Sequence, residues 1–279
     1  MTAKIDPLLT PFLARATRIE SASNSRISAF AKLKTRRART REGKFLIEGQ
    51  RELARALAAN VSIETLLLCP DVVTHLDSEL NLDDVTDAVQ VLSLSEAAFN
   101  KLSMRQSPDG VIAVAKRMER HLDELTAATN RLYLVIDGLE KPGNIGALLR
   151  TADSVNVDAV FTTGTGTDLE NPNVIRASMG SVFSRPVLQV DDTELSTWFR
   201  QHQVKVVAAS PHSQQAYWQL ELTQAVAIVL GTEHEGLSEY WQTRAEEQAL
   251  IPMYGQADSL NVATSGALLL YEVLRQRSS

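Results

Sequence analysis

Ile251-Pro252-Met253-Tyr254-Gly255-Gln256-Ala257-Asp258-Ser259-Leu260-Asn261-Val262 runs straight into an apolar segment, Ala263 to Leu274. A short apolar run stops at Pro252, which has no backbone N–H and cannot continue a central strand. Small and polar residues follow, and Ser259 and Asn261 are both of the types that open helices. In the helix they open, Val262, Gly266, Leu269 or Leu270 and Val273 share one stripe, so that helix is built to be buried. A proline-stopped strand, a polar loop and a buried helix leave backbone groups free to face a small ligand. Taken alone, the stretch reads better as an ordinary strand-to-helix connection.

Upstream of it, apolar runs alternate with helical segments. Strands are expected at Leu132–Ile136, Ala159–Thr162, Lys205–Ala209, Ala225–Leu230 and Ala249–Ile251. Helices are expected near Asn144–Val155, Val174–Gly180, Asp192–Gln201, Ser238–Glu246 and Asn261–Arg275. Such alternation means an α/β domain, a parallel sheet with helices on both faces. Periodicity carries the argument as far as that doubly wound sheet and no further.

Residues 1–25 hold Pro7, Pro11 and a Ser/Asn cluster and read as an arm with one helical turn. A smaller α/β domain is expected over residues 26–116. It has a basic helix from Ile27, a strand Lys44–Gly49, a helix Gln50–Ala59 and a strand Val61–Cys69. A helix Asp71–Leu80, an extended Val89–Leu92, a helix Ser95–Leu102 capped by Ser95, and a strand Gly110–Ala115 complete it. Residues 117–130 are charged without a stripe and read as a partly helical linker, which leaves 131–279 as the second domain.

Asp137-Gly138-Leu139-Glu140-Lys141-Pro142-Gly143-Asn144-Ile145-Gly146 is a strand-end loop that meets a helix start, where anions and ribose can approach backbone N–H groups. It has neither the G-x-G-x-x-G nor the G-x-x-x-x-G-K-[ST] spacing of dinucleotide and phosphate loops. Asn144 would serve as a helix cap in any case. Arg150 follows it by six residues, about 240° round the helix, so the two side chains leave in different directions. It stands beside Leu148 and Leu149, where a buried arginine would need a partner such as a salt bridge. Leu230-Gly231-Thr232-Glu233 ends an apolar strand in a glycine followed by a carboxylate. Glycine permits a close backbone approach or an unusual dihedral. His234, between Glu233 and Glu235, has no companion histidine at ligand spacing and reads as a loop residue.

Asn144-Ile145-Gly146-Ala147-Leu148-Leu149-Arg150-Thr151-Ala152, Leu230-Gly231-Thr232-Glu233-His234-Glu235-Gly236-Leu237, and Ile251-Pro252-Met253 through Ser259-Leu260-Asn261-Val262 resemble, in order and spacing, the three motifs of the SpoU-type RNA 2′-O-methyltransferases of the SPOUT superfamily. The resemblance covers Leu132 to Arg275. More weakly, through Phe45-Leu46-Ile47-Glu48-Gly49 and Ser107-Pro108-Asp109-Gly110-Val111, it extends to a ribosomal-protein-like substrate-binding domain. It implies a trefoil-knotted path, which general topology rules would discourage, and a homodimer paired through the knotted domains. It implies S-adenosylmethionine held largely by backbone groups at Gly231, Thr232, Ile251, Met253 and Leu260, with Asn144, Arg150, Glu233, Ser259 and Asn261 at the polar active-site positions. The implied reaction is methylation of a ribose 2′-hydroxyl without a metal. Ribosomal RNA is the expected substrate, transfer RNA the near rival, and a non-catalytic RNA-binding assembly factor the reading from another class.

With 279 residues and one cysteine, Cys69, the chain has room for two cores and excludes an intramolecular disulfide or a multi-cysteine zinc site. No apolar run approaches membrane-spanning length and no signal-peptide pattern is present, which fits a cytoplasmic protein. The net charge is −6, yet Arg26, Lys32, Lys34, Arg36, Arg37, Arg39, Arg41 and Lys44 against Glu42 make residues 26–44 +7 and leave −13 elsewhere. A basic block in an acidic protein is either a solvated helix face or a local phosphate-contacting surface. Arg36, Arg37, Arg39, Arg41 and Lys44 are the expected RNA contacts.

Overall fold

The computed structural model describes residues 6–73, 75–81, 85–126, 130–166, 168–233 and 235–278. In chain order the elements begin α1 (Thr10–Ala14), β1 (Thr17–Ile19), α2 (Ser25–Lys32), α3 (Arg36–Glu42), β2 (Lys44–Glu48), α4 (Gln50–Ala58), β3 (Ile63–Leu68), β4 (Gln90–Leu94), α5 (Glu96–Leu102) and β5 (Val111–Lys116). They continue β6 (Leu132–Asp137), α6 (Pro142–Ser154), β7 (Ala159–Thr163), α7 (Pro172–Ala177), β8 (Val187–Gln189) and α8 (Asp192–Gln201). The last are β9 (Lys205–Ala209), β10 (Val226–Leu230), α9 (Glu239–Arg244), β11 (Glu247–Ala249) and α10 (Val262–Arg277). Two compact units form: Met1–Met118 with Asp168–Ser184, and Glu119–Thr167 with Arg185–Ser279.

The first unit is a five-stranded mixed sheet in the order β1-β4-β3-β5-β2. Ile27, Leu33, Phe99 and Leu102 of the helical side pack on Leu46, Leu67, Leu92, Ile112 and Val114 of the strands. Residues 17–19 are not a free arm, because β1 pairs in parallel with β4 and Ile19 joins this core. The basic helix is two helices, with Thr35 accepting from the Ala38 N–H to start α3 afresh. Residues 71–80, where described, form turns instead of a helix. Gln50 takes the local backbone bonds there, donating to the His75 carbonyl at 3.1 Å and accepting from the Asp77 N–H at 2.7 Å.

Asp168–Ser184 departs from the division at residue 131, because it packs with the first unit. Phe183 stacks on Phe45 of β2, with ring centroids 6.3 Å apart. Asp168 pairs with Arg39, and Glu170 pairs with Arg117 while accepting from the Met118 N–H at 3.0 Å. Burial raises the Glu170 carboxyl above its ordinary value against the pull of Arg117. Of the expected linker, the described part holds only a single 3-10 turn, Leu122–Glu124; residues 127–129 lie outside the described residues.

The second unit is a six-stranded parallel sheet in the order β11-β9-β10-β6-β7-β8. Successive residues of a strand face opposite sides, and both sides are covered. Tyr133, Val135, Phe161, Ala208 and Val229 pack against Trp198 and Phe199 of α8 and Trp241 of α9. Tyr133 sits among rings, its centroid 5.6 Å from Trp198 and 5.8 Å from Phe161 and from Phe199, and burial pushes its phenol up to about 12. On the other side α6 and α10 pack on each other. A Cβ on Gly266 would stand 2.4 Å from Leu148 Cδ2 and 2.8 Å from Leu230 Cδ1, so a larger residue would have to push those leucine ends aside. β11 ends at Ala249, before the expected Ile251, and β8 is a short strand that the alternation did not reveal. No helix among the described residues is long and apolar enough to cross a membrane.

Candidate active site

In the second sheet β6 and β10 are neighbours, yet the helices that follow them go to opposite faces, α6 to one and α9 to the other. The loops leaving the carboxyl ends of these two strands therefore diverge, which is where open α/β sheets bind ligands. The first loop carries Lys141 and Asn144, and the second carries Glu233. Asp137, the last residue of β6 and 4% exposed, fastens the two together. One of its oxygens accepts from the Ser238 N–H at 2.8 Å, just beyond the Glu233 loop, and the other from Thr163 Oγ1 at 3.2 Å.

The Glu233 loop is tight. Thr232 and Gly236 exchange backbone bonds, Thr232 N to Gly236 O at 2.7 Å and the reverse at 3.1 Å, with Gly236 at φ +71°. A Cβ on Gly231 would stand 2.2 Å from the Gly236 carbonyl carbon and oxygen, so the loop closes only over a glycine. His234 lies outside the described residues.

Glu233 Oε1 accepts from Asn144 Nδ2 at 2.6 Å and from Asn261 Nδ2 at 2.8 Å, and Asn261 Nδ2 also reaches Asn144 Oδ1 at 3.2 Å. Lys141 Nζ pairs with Glu233 Oε2. The orientation of the whole cluster follows from one cap. Asn261 is the N-cap of α10, and its Oδ1 accepts from the Ala263 N–H at 2.9 Å. Its amide nitrogen must then face Glu233, and Asn144 must turn its own nitrogen the same way. Asn144 is not a cap, because α6 starts at Pro142 and leaves the Asn144 side chain to Glu233.

Three of the five expected polar residues are thus joined: Asn144, Glu233 and Asn261. Arg150 and Ser259 are exposed and make no side-chain hydrogen bond or ion pair among the described residues, so the salt bridge considered for Arg150 does not form there. Lys141 and Asp137 went unassigned in the sequence. Lys141 has a signal, a cation beside the proline that starts α6, whereas a strand-end aspartate carries none that distinguishes it.

Gly231, Thr232, Ile251, Met253 and Leu260 are all half-buried. Between Ile251 and Asn261 no backbone N–H donates a hydrogen bond among the described residues. An array of unpaired backbone donors and acceptors beside a polar cluster suits a ligand read largely through the main chain, as expected for S-adenosylmethionine. No group of three or more His, Cys, Asp or Glu among the described residues is disposed to hold a metal ion.

The basic block is mostly spoken for. Arg39 is 2% exposed, gives Nε to Asp168 Oδ1 at 3.2 Å and Nη2 to Oδ2 at 2.7 Å, and donates Nη1 to the Leu33 and Lys34 carbonyls at 2.8 and 2.9 Å. It is an internal anchor and cannot reach RNA, which corrects its expected role. Arg36 lies 3.9 Å from Asp168, Arg41 pairs with Glu42 at 2.7 Å and Lys44 with Glu64 at 2.6 Å. Arg37 alone of the five is exposed without an ion pair among the described residues.

Comparison with known proteins gives this geometry a context. Residues 131–271 match the SpoU rRNA Methylase family, and residues 24–113 match the MRM3-like substrate binding domain. The chain belongs to the SpoU rRNA methylase family. A 23S rRNA (guanosine(2553)-2′-O)-methyltransferase, RlmP, of Bacillus subtilis is 32% identical over 91% of this chain and 98% of its own length. A solved RNA 2′-O ribose methyltransferase is 45% identical with a TM-score of 0.81, covering 94% of this chain and 100% of that one. The SpoU methyltransferase AviRb from Streptomyces viridochromogenes, solved in complex with the cofactor AdoMet, is 28% identical with a TM-score of 0.83 over 92% of this chain and 99% of its own. As a SpoU-family protein, the chain is a ribose 2′-O-methyltransferase of RNA that uses S-adenosylmethionine.

Proposed function

We propose that this SpoU-family enzyme methylates a ribose 2′-hydroxyl of ribosomal RNA. The Asn144–Glu233–Asn261 cluster at the point where the β6 and β10 loops diverge carries the reading, supported by relatives such as RlmP, whose named substrate is 23S ribosomal RNA. S-adenosylmethionine, when bound, supplies a methyl group on a positively charged sulfur. Gly231, Thr232, Ile251, Met253 and Leu260 would hold it, mainly through their backbone.

The 2′-hydroxyl must be brought into line and must lose its proton. Arg150 is not the base, since a guanidinium stays protonated at any working pH. It clamps the target phosphate, its planar donors matching two phosphate oxygens. Ser259 and the remaining hydrogen-bonding capacity of Asn144 orient the hydroxyl. Glu233, which already accepts from two amides and an ammonium, holds the two asparagines in register and leaves the proton to a phosphate oxygen or water.

The active form is a homodimer in the cytoplasm. Leu268, Tyr271 and Leu274, spaced along α10 and each more than a third exposed, support a second copy as the cover of that stripe. The test is transfer of tritiated methyl from S-adenosylmethionine to isolated ribosomal RNA and to bulk transfer RNA, with Arg150→Ala as control. Alkali-resistant label in ribosomal RNA that vanishes in the variant is the expected result. Label in transfer RNA alone would replace the substrate. No label and no cofactor binding would leave a non-catalytic assembly factor as the better reading.

A further inference from the structure

The turn after α5 in the first unit gathers cations held by neutral atoms. Lys34 Nζ donates to the Lys101 and Ser103 carbonyls, each at 3.0 Å, and Arg176 Nη1 donates to the Met104 carbonyl at 3.0 Å. Arg176 Nη2 rests on Asn173 Oδ1 at 3.1 Å, while Lys101 Nζ holds the Ala22 carbonyl at 2.9 Å and Ser28 Oγ at 3.0 Å. None of the three forms a salt bridge among the described residues, in contrast to Arg36, Arg39, Arg41 and Lys44. Three carboxylates touch this turn: Glu48, 6% exposed, bonded to Ser103 Oγ and to the Met104 N–H at 2.8 Å, and Glu52 and Asp109, which pair with Arg105 at 2.7 and 3.6 Å and not with the three cations.

We propose that Lys34, Lys101 and Arg176 form a phosphate-contacting RNA surface on the first unit. A cation paired with a carboxylate must break that pair to take a phosphate. One held by a carbonyl keeps its charge, is already oriented, and has N–H groups to spare. Arg176 uses one N–H on each Nη and has three more. Two of the three, Lys101 and Arg176, are exposed, and these carry the larger share, since Lys34 is half-buried.

Arg39 builds this surface without touching RNA. Its guanidinium ties the Lys34 carbonyl to Asp168, which begins the segment that carries Arg176. A segment matched to the methylase family thereby supplies one cation to the substrate-binding unit. Capping of the α5 carboxyl end also accounts for Lys34 and Arg176. It does not account for Lys101, whose ammonium reaches away to α2 and the residues before it.

The inference rests on the proposed RNA substrate, and the two can fail separately. Binding of the full-length protein to a labelled RNA hairpin is measured between about 50 and 200 mM salt, a sequence-independent readout of phosphate contacts. Arg176→Gln and Lys101→Gln are each expected to reduce the slope of log K against log salt by about 0.7–0.9, and the affinity about sixfold near 0.1 M salt. Arg176→Lys, which keeps the charge, is expected to retain the slope, and Lys44→Gln to leave it unchanged. An undiminished slope in both glutamine variants overturns the surface even if methyl enters RNA. A diminished slope with no methyl transfer keeps the surface and removes the substrate assignment. Loss of slope in Arg176→Lys equal to that in Arg176→Gln would assign Arg176 to capping and overturn its place in the surface.

Discussion

Asn261→Asp separates the two tasks of one side chain. The aspartate keeps an oxygen for the Ala263 N–H, and aspartate caps helices as well as asparagine does. Its second oxygen, however, replaces the amide nitrogen 2.8 Å from Glu233 Oε1. Two unit charges at that distance repel by about 1.5 kcal/mol in water and about 6 kcal/mol at an effective dielectric of 20; Glu233 is half-buried but Asn261 is exposed, so the repulsion lies toward the lower figure. The lower figure alone is about a tenfold loss of activity. Carboxylates forced together share a proton, so part of the loss is expected to be recovered as the pH falls, a recovery not expected of the wild type. Initial rates of methyl transfer across pH would be read beside thermal unfolding. Asn261→Ala is the comparison, since it loses the cap at about 1 kcal/mol, or roughly 2–4 °C for a chain of this size. Wild-type turnover by Asn261→Asp at neutral pH would refute the cluster's role, and a melting loss equal to that of Asn261→Ala at acid pH, where a shared proton relieves the repulsion, would refute the cap as the orienting bond.

Gly231→Ala puts a Cβ 2.2 Å from the Gly236 carbonyl and forces the loop open. Calorimetry is expected to show cofactor affinity down at least about tenfold with about 1–3 kcal/mol of lost stability, and unchanged affinity would exclude the loop from the cofactor site. Arg150→Lys is expected to retain a charge but lose the two-pronged clamp, lowering turnover with weaker RNA binding; full turnover at unchanged RNA affinity would sink the clamp. Arg39→Met takes from Asp168, 8% exposed, its two-pronged partner and leaves it only Arg36 at 3.9 Å, at a cost of up to about 3–5 kcal/mol in denaturant titration, and replacing both residues by apolar ones should restore much of it. Tyr133 has a folded value near 12 against the ordinary 10.0. Its contribution is therefore complete below pH 10 and is lost as the pH rises from 10 toward 12, up to about 2.7 kcal/mol. Tyr133→Phe should flatten that alkaline limb, and an unaltered limb would show that another group sets it.

What could be read from the sequence followed the density of local signals. Asn261 as a cap and Gly231 as a close approach follow from covalent chemistry and hold in the fold, whereas Pro252 stops no strand, since β11 already ends at Ala249. The parallel sheet followed from alternation alone. Arg39 misled because a charge run looks the same whether its members face water or an aspartate 129 residues away. Residues 71–80 misled because Gln50, distant in sequence, takes the bonds a helix would have used. The packing of Asp168–Ser184 with the first unit depends on Phe183 meeting Phe45 and on two buried acids meeting arginines from the first 118 residues. None of that is visible in a window of local sequence.

The cap on α10 also explains why fold and chemistry are hard to separate here. Between Ile251 and Asn261 the chain donates no backbone N–H bond among the described residues, so few internal contacts choose its path. At one end the Tyr217 N–H donates to the Leu250 carbonyl at 2.9 Å and the Leu250 N–H to the Gln215 carbonyl at 2.8 Å. At the other the Asn261 side chain fixes both the first turn of α10 and Glu233. A loop pinned at its ends with its middle donors unspent is cheap to order around a ligand, because the bonds a ligand brings replace bonds to water and not bonds to protein. Fraying of the first turn of α10 would release the Asn261 amide, and with it the register of Glu233 and Asn144. On the proposed reading, in which this loop holds the cofactor, binding and the integrity of that turn would be linked, and each would stabilise the other by the same coupling free energy.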